Sequence, residues 1–173
     1  EYFEALVHGA REPTIVVSIY SPNCDNASPV SSPLFCELWD AIFDEVHTRD
    51  YLDVPLQKVI IDAHATTLCL DPTRYNGVVA YENLQGDILT DQAGGIIGSL
   101  GLMPSACINP YSRKGFFEPA HGSAPDIARK DIANPYSMIG CVGFMLENLG
   151  LEEESRLVWQ SLQGVFAQGE TSF

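Results

Sequence analysis

The chain has 173 residues, 46% apolar and 18% charged, a balance that fits one folded domain able to bury its own core. With 23 Asp and Glu against 9 Lys and Arg its net charge is −14, and no basic cluster exists to neutralise phosphates, so nucleic-acid binding is excluded as an expected function. No apolar run approaches membrane-spanning length, and the five cysteines show no CxxC pair or zinc spacing, so a cytoplasmic protein with free thiols is expected.

Residues 2–10 have helical spacing, with Phe3, Leu6 and Val7 on one side. "TIVVSI" at 14–19 is β-branched and short, a buried strand, and "YSPNCDNASPVSSP" at 20–33 reads as a loop. "LFCELWDAIFDEV" at 34–46 places Leu34, Leu38, Trp39, Ile42, Phe43 and Val46 as an amphipathic helix. "LQKVIID" at 56–62 is a strand ending on Asp62, followed by a short apolar helix with His64. "GVVAY" at 77–81 is another strand, leading into "ENLQGDILTDQAGGIIGSLGLMPSA" at 82–106. "SACI" and "GFFEPA" predict two more strands, and residues 132–150 and 152–168 predict two helices, the first largely buried and the second amphipathic with an acidic first turn. Strands alternating with helices predict an α/β fold with a largely parallel sheet flanked by helices, read as a single domain over residues 1–173.

Two segments carry candidate chemistry. Asp87 and Asp91, four apart on a predicted helix that Asn83 can cap, share one face, where like charges repel. A bound Mg²⁺ or Mn²⁺ removes that repulsion and prefers oxygen ligands; the alternative is a solvated acidic face. Flanking Ile88, Leu89, Ile96 and Ile97 predict a mostly buried helix, which favours the metal. Asp62, at a strand end where ligands of parallel sheets gather, is a third carboxylate or a cap. His64 is either an acid/base group or a satisfied core histidine. In "EPAHGSAPDIARKDIANP" at 118–135, His121, Gly122, Ser123 and Ala124 allow close approach of a phosphate or ribose. Asp126 suits the two ribose hydroxyls, and Asn134 either caps the next helix or reads an adenine edge.

Taken together, "NLQGDILTDQAGGIIGSLGLMPSA" followed by "FEPAHGSAPDIARKDIANP" resembles the β-decarboxylating hydroxyacid dehydrogenases, the isopropylmalate, isocitrate and tartrate dehydrogenases. The resemblance implies that Asp87 and Asp91 bind Mg²⁺ or Mn²⁺, that Asp62 is contributed across a homodimer, and that His121, Gly122, Ser123, Ala124, Asp126 and Asn134 hold NAD. Asp126-Ile127 resembles the NAD rather than the NADP version. The family reaction oxidises a 2-hydroxy acid, then uses the metal to stabilise the enolate left by loss of CO₂.

Departures accompany the match. Family members are about twice this length, and the portion with no counterpart here is the N-terminal half, which carries the substrate-clamping arginines and the proton-donating tyrosine. After the first strand, aligned on Asn23, Ser21 falls where the family has its catalytic lysine, and Tyr20 where it has an aspartate. Serine cannot replace an ammonium that shuttles a proton. Gln85 stands where an aromatic is usual and Arg129 where glycine is common. Three readings follow. The first is a shortened family member repurposed for non-redox chemistry (lyase, isomerase or cyclase) on a small carboxylate or carbonyl substrate, as in specialised biosynthesis, with Asp62, His64, Asp87 and Asp91 as the catalytic set and NAD retained or lost. The second is an NAD-dependent oxidative decarboxylase of a 2-hydroxy acid. The third is a non-catalytic regulatory or binding subunit.

Overall fold

The computed structural model describes residues 16–20, 33–75 and 77–169, with 16–20 and 33–36 as backbone only. The helix expected at residues 2–10, and Ser21 and Asn23 in the expected loop, lie outside the described residues. The chain divides into two compact units, Glu1–Thr90 and Asp91–Phe173.

In the first unit, strands β1 (Val16–Tyr20), β2 (Leu56–Ile60) and β3 (Val78–Ala80) form a parallel sheet in the order β2-β1-β3. Val16 stands opposite Leu56 on one side and Val78 on the other, and the pairing runs on to Tyr20 with Ile60 and Ser18 with Ala80. Parallel pairing brings all three carboxyl ends to one edge. There the chain passes into helices: α2 (Ile61–Leu70) starts directly after β2, and α3 (Asn83–Ile96) starts after β3 with two residues between.

Helix α1 (Pro33–Asp50) joins β1 to β2. Its buried stripe is narrower than the sequence pattern predicts. Trp39, Phe43 and Val46, at spacings of four and three, pack toward Val54, Leu56, Val78 and Ala80, with the Trp39 and Phe43 rings 5.1 Å apart. Leu38 and Ile42 lie one residue off that line, about 100° round the helix, and are 52% and 57% exposed. On the polar side, Asp40 and Asp44 hold the Lys58 ammonium of β2 at 3.6 and 2.7 Å.

In the second unit, β4 (Pro104–Ile108) and β5 (Gly115–Pro119) pair antiparallel as a separate two-stranded sheet, so the predicted parallel arrangement applies to β1, β2 and β3. Their turn is closed by Asn109, whose side-chain oxygen accepts from the backbone N–H groups of Tyr111 and Ser112 at 2.9 and 3.0 Å. Helix α4 (Tyr136–Asn148) packs on β4 and on α5 (Glu152–Ala167).

The expectation that α4 is largely buried needs correction. Its buried face consists of Ser137, Gly140, Cys141 and Gly143, whereas Met138, Ile139, Val142 and Met145 are exposed. The reason is close approach. Pro104 and Trp159 lie against Gly140, and the Trp159 indole fills the space over Gly143. The Trp159 N–H and the Ser155 hydroxyl both donate to Glu147 Oε1, at 3.2 and 3.0 Å, so the helix pair also closes its polar groups. Among the described residues, no helix is long and apolar enough to cross a membrane.

Two glycines should respond with opposite signs. A Cβ on Gly143 would stand 2.8 Å from the Trp159 ring, so Gly143→Ala is expected to destabilise by about 1–3 kcal/mol. A Cβ on Gly164, inside α5, would meet nothing within 4 Å, so Gly164→Ala is expected to stabilise by about 0.5–1 kcal/mol. Thermal unfolding followed by far-UV circular dichroism checks both; equal shifts would contradict the packing described.

Candidate metal and cofactor site

Helix α3 is started by Glu82, not by Asn83 as the sequence suggests. The Glu82 carboxylate accepts from the Gln85 backbone N–H at 2.9 Å, satisfying a donor that the helix leaves open. The Asn83 amide instead donates to Asp87 Oδ2 at 3.4 Å. Asp87 and Asp91 follow on one face, separated along the axis by about 6 Å, and both are exposed.

The helix is less buried than expected. Leu89 and Gly94 are buried, but Ile88, Ile96 and Ile97 are exposed, Ile88 to 60%. Gly94 is where close packing occurs, because a Cβ there would collide with Met103 and Leu100. Water alone can therefore solvate the two aspartates. What the helix contributes is their spacing and free coordination positions around them, and this donor set suits a hard divalent cation. Gln85 is half-buried, and its Oε1 is buried without a partner among the described residues, a consequence of an amide where the resembled family has an aromatic.

Asp62 sits in the first turn of α2, not at the end of β2. Its carboxylate accepts from the Ala63 N–H at 2.8 Å and lies where the helix dipole favours a negative charge. It remains exposed, on the carboxyl edge of the parallel sheet. Among the described residues, no group of three or more His, Cys, Asp or Glu side chains is gathered so as to hold a metal within a single chain.

His64 is 1% exposed. Its Nε2 lies 2.7 Å from the Tyr81 hydroxyl, Tyr75 stacks on the ring at 5.1 Å, and burial lowers its pKa from the ordinary 6.5. Burial also pushes the Tyr81 phenol up to about 12. The sequence reading named His64 but missed Tyr81; the only available signal was a tyrosine ending a buried strand.

The second candidate segment is a loop anchored at its start. Ala120 N–H donates to the Met103 carbonyl at 3.0 Å. The His121 ring engages the Gly122 carbonyl through Nδ1 at 2.8 Å and the buried Ser137 hydroxyl through Nε2 at 3.1 Å. His121 therefore shapes the loop, tying it to the first turn of α4. A Cβ on Gly122 would meet nothing within 4 Å, so its surroundings are open to a ligand. Residues Pro125–Ile127 form a short 3₁₀ turn that presents Asp126 to solvent.

Asn134 accepts from the Tyr136 N–H at 2.9 Å, an Asx turn leading into α4, whose N-cap position is Pro135, and its side-chain nitrogen is buried without a partner among the described residues. It borders an apolar cleft of about 410 Å³ between α4 and α5, lined also by Ile139, Leu157 and Val165. The cleft contains none of the candidate acids.

Comparison with known proteins places these features in a family. The family model described as isocitrate/isopropylmalate dehydrogenase matches residues 34–172. The 3-isopropylmalate dehydrogenase of Shouchella clausii is 47% identical over 133 residues, 76% of this chain and 36% of that protein. That of Oceanobacillus iheyensis is 37% identical over 98% of this chain and 45% of its own length. Among solved structures, isocitrate dehydrogenase from Methylococcus capsulatus superposes with a TM-score of 0.77 at 36% identity, covering 90% of this chain and 43% of that one. The chain belongs to the isocitrate/isopropylmalate dehydrogenase family. It spans less than half the length of these relatives.

The structure also explains one departure noted in the sequence. Arg129 has φ +65°, a left-handed conformation that glycine adopts without strain, and Asp131 two residues on has φ +54°. Arg129→Gly is expected to stabilise by about 1 kcal/mol and Asp131→Gly by less, because aspartate tolerates this region better. Urea unfolding midpoints measure both, and a loss of stability in Arg129→Gly would contradict the assigned backbone.

Proposed function

We propose that this chain carries the cation-binding and adenosine-binding part of an NAD-dependent, metal-assisted oxidative decarboxylase of a small malate-type 2-hydroxy acid. It acts as a cytoplasmic homodimer in which Asp62 serves the partner's site. The observation that carries this reading is the pair of exposed carboxylates, Asp87 and Asp91, one turn apart on α3, in the same chain as an open His-Gly-Ser-Ala-Pro-Asp loop. Asp87 and Asp91 hold Mg²⁺ or Mn²⁺, with Asp62 of the partner subunit as the third ligand. Gly122, Ser123 and Ala124 let the dinucleotide approach the backbone, Asp126 binds the ribose hydroxyls, and His121 and Asn134 keep the loop in shape. When bound, the cation polarises the substrate's oxygens and the nicotinamide accepts the hydride. The names of the relatives, all dehydrogenases, support the redox reading. Free thiols at Cys107 and Cys141 support a reducing compartment.

Non-redox chemistry on a similar acid is the second reading. One observation favours it: Ser21 at the position of the family's proton-shuttling lysine.

Two measurements separate these readings. Mn²⁺ is expected to raise the melting temperature, by a stabilisation of about 2.7 kcal/mol at a hundredfold excess over Kd, and Asp87→Asn is expected to abolish the shift. Reduced-nicotinamide absorbance should then grow with NAD, Mn²⁺ and 3-isopropylmalate or another 2-hydroxy acid. A Mn²⁺ shift without turnover of any such acid favours non-redox chemistry. If neither Mn²⁺ nor NAD moves the melting temperature, the chain is a non-catalytic subunit and the proposal fails.

A further inference from the structure

The carboxyl edge of the parallel sheet holds a pair of side chains that neither the cation reading nor the cofactor loop uses. His64 in the first turn of α2 is buried, and its Nε2 meets the Tyr81 hydroxyl at 2.7 Å. Tyr75 stacks on the imidazole at 5.1 Å, and the Tyr81 ring meets it edge-on at 5.5 Å, so the ring is held in one orientation. Its other nitrogen, Nδ1, is buried with no partner among the described residues.

That asymmetry favours one direction of the hydrogen bond over the other. A proton on Nδ1 would be a buried donor with no acceptor, which folded proteins avoid more strictly than an acceptor left unfilled. With the proton on Nε2, donated to the Tyr81 oxygen, the ring keeps no buried donor without an acceptor. The Tyr81 hydroxyl hydrogen is then not used on His64, and among the described residues no other group accepts it.

The location gives this donor a use. Tyr81 is the first residue after β3, and the pairing of Ser18 with Ala80 places it beside the end of β1. That strand ends at Tyr20, one residue before Ser21, where the family's lysine is replaced. Gly86 allows α3 to come down on Tyr81, since a Cβ there would stand 3.3 Å from the tyrosine Cβ. Ligands of parallel α/β sheets gather at this edge.

We propose that Tyr81 is a preset hydrogen-bond donor to a carboxylate or hydroxyl oxygen of a small hydroxy-acid substrate, and that His64 is the positioning residue that turns its hydroxyl outward. The inference rests on the function proposed above and adds to it a substrate-contacting side chain. Tyr81 remains a neutral phenol through the physiological range, so it orients and stabilises an oxygen without giving up its proton.

The test uses the full chain, with malate as the probe and Mn²⁺ present. Tyr81→Phe is expected to weaken malate binding about tenfold in calorimetric titrations and to leave binding of Mn²⁺ alone unchanged. His64→Leu should weaken malate binding similarly. His64→Gln, whose amide can still donate to the phenol oxygen, should recover most of the loss, which a purely structural role for His64 would not require. Nitrogen-15 NMR of the wild-type chain should find His64 protonated at Nε2 and bare at Nδ1. Protonation at Nδ1 would overturn the inference, as would equal malate affinity in wild type and Tyr81→Phe. A wild-type chain that binds Mn²⁺ but not malate also overturns it, while leaving cation binding intact. A chain that binds neither Mn²⁺ nor malate removes the proposed function and this inference together.

Discussion

The parallel register of β1 between β2 and β3 is the constraint from which the first unit's chemistry follows. Because Tyr20 pairs with Ile60 and Ser18 with Ala80, the strands end at one edge, and α2 and α3 begin there. Asp62 and His64 leave that edge on α2, Tyr81 and Glu82 leave it before α3, and α3 carries Asp87 one turn further on. A one-residue slip in either pairing would turn the strand's faces over and send these residues to the wrong side. Phe43, Ala80 and their neighbours hold the register by burying one face of the sheet under α1.

The second unit is organised by small residues. Gly140 and Gly143 let Pro104 and Trp159 approach α4 more closely than any larger residue allows, and Ser137 lies in the same buried face, where it meets His121. The helix packing and the shape of the His-Gly-Ser-Ala-Pro-Asp loop are thus one problem with one solution. Ala124 is left-handed within that loop and Arg129 and Asp131 follow it in the same conformation, and the strain they carry is held against these anchors.

The acids and the loop differ in what they ask of a ligand. Asp87 and Asp91 are exposed and chemically ready for a hard cation, whereas the loop offers open space at Gly122 and an exposed acid at Asp126. His64 is the contrary case, a buried ring whose only polar contact among the described residues is Tyr81. A residue of that kind acts through its neighbour.

Much of this was legible in the amino-acid order. Among the described residues, periodicity located the five helices and the strands to within a few residues, and the motif strings were specific enough to identify the family from which the metal and cofactor roles are drawn. Burial was not legible. Ile88, Ile96, Met138 and Val142 read as core residues, yet they are exposed, because periodicity marks which residues share a face and not whether anything covers it. Nor could the order show that Glu82 rather than Asn83 starts α3, since both are competent caps and only backbone geometry chooses between them. By itself the sequence determined the element types, the family and the spacing of Asp87 and Asp91, all of which are local properties of the chain. Only the tertiary structure decided that His64 meets Tyr81 and that His121 meets Ser137. Those pairs lie 17 and 16 residues apart, and it is strand register and helix packing that bring them within a hydrogen bond.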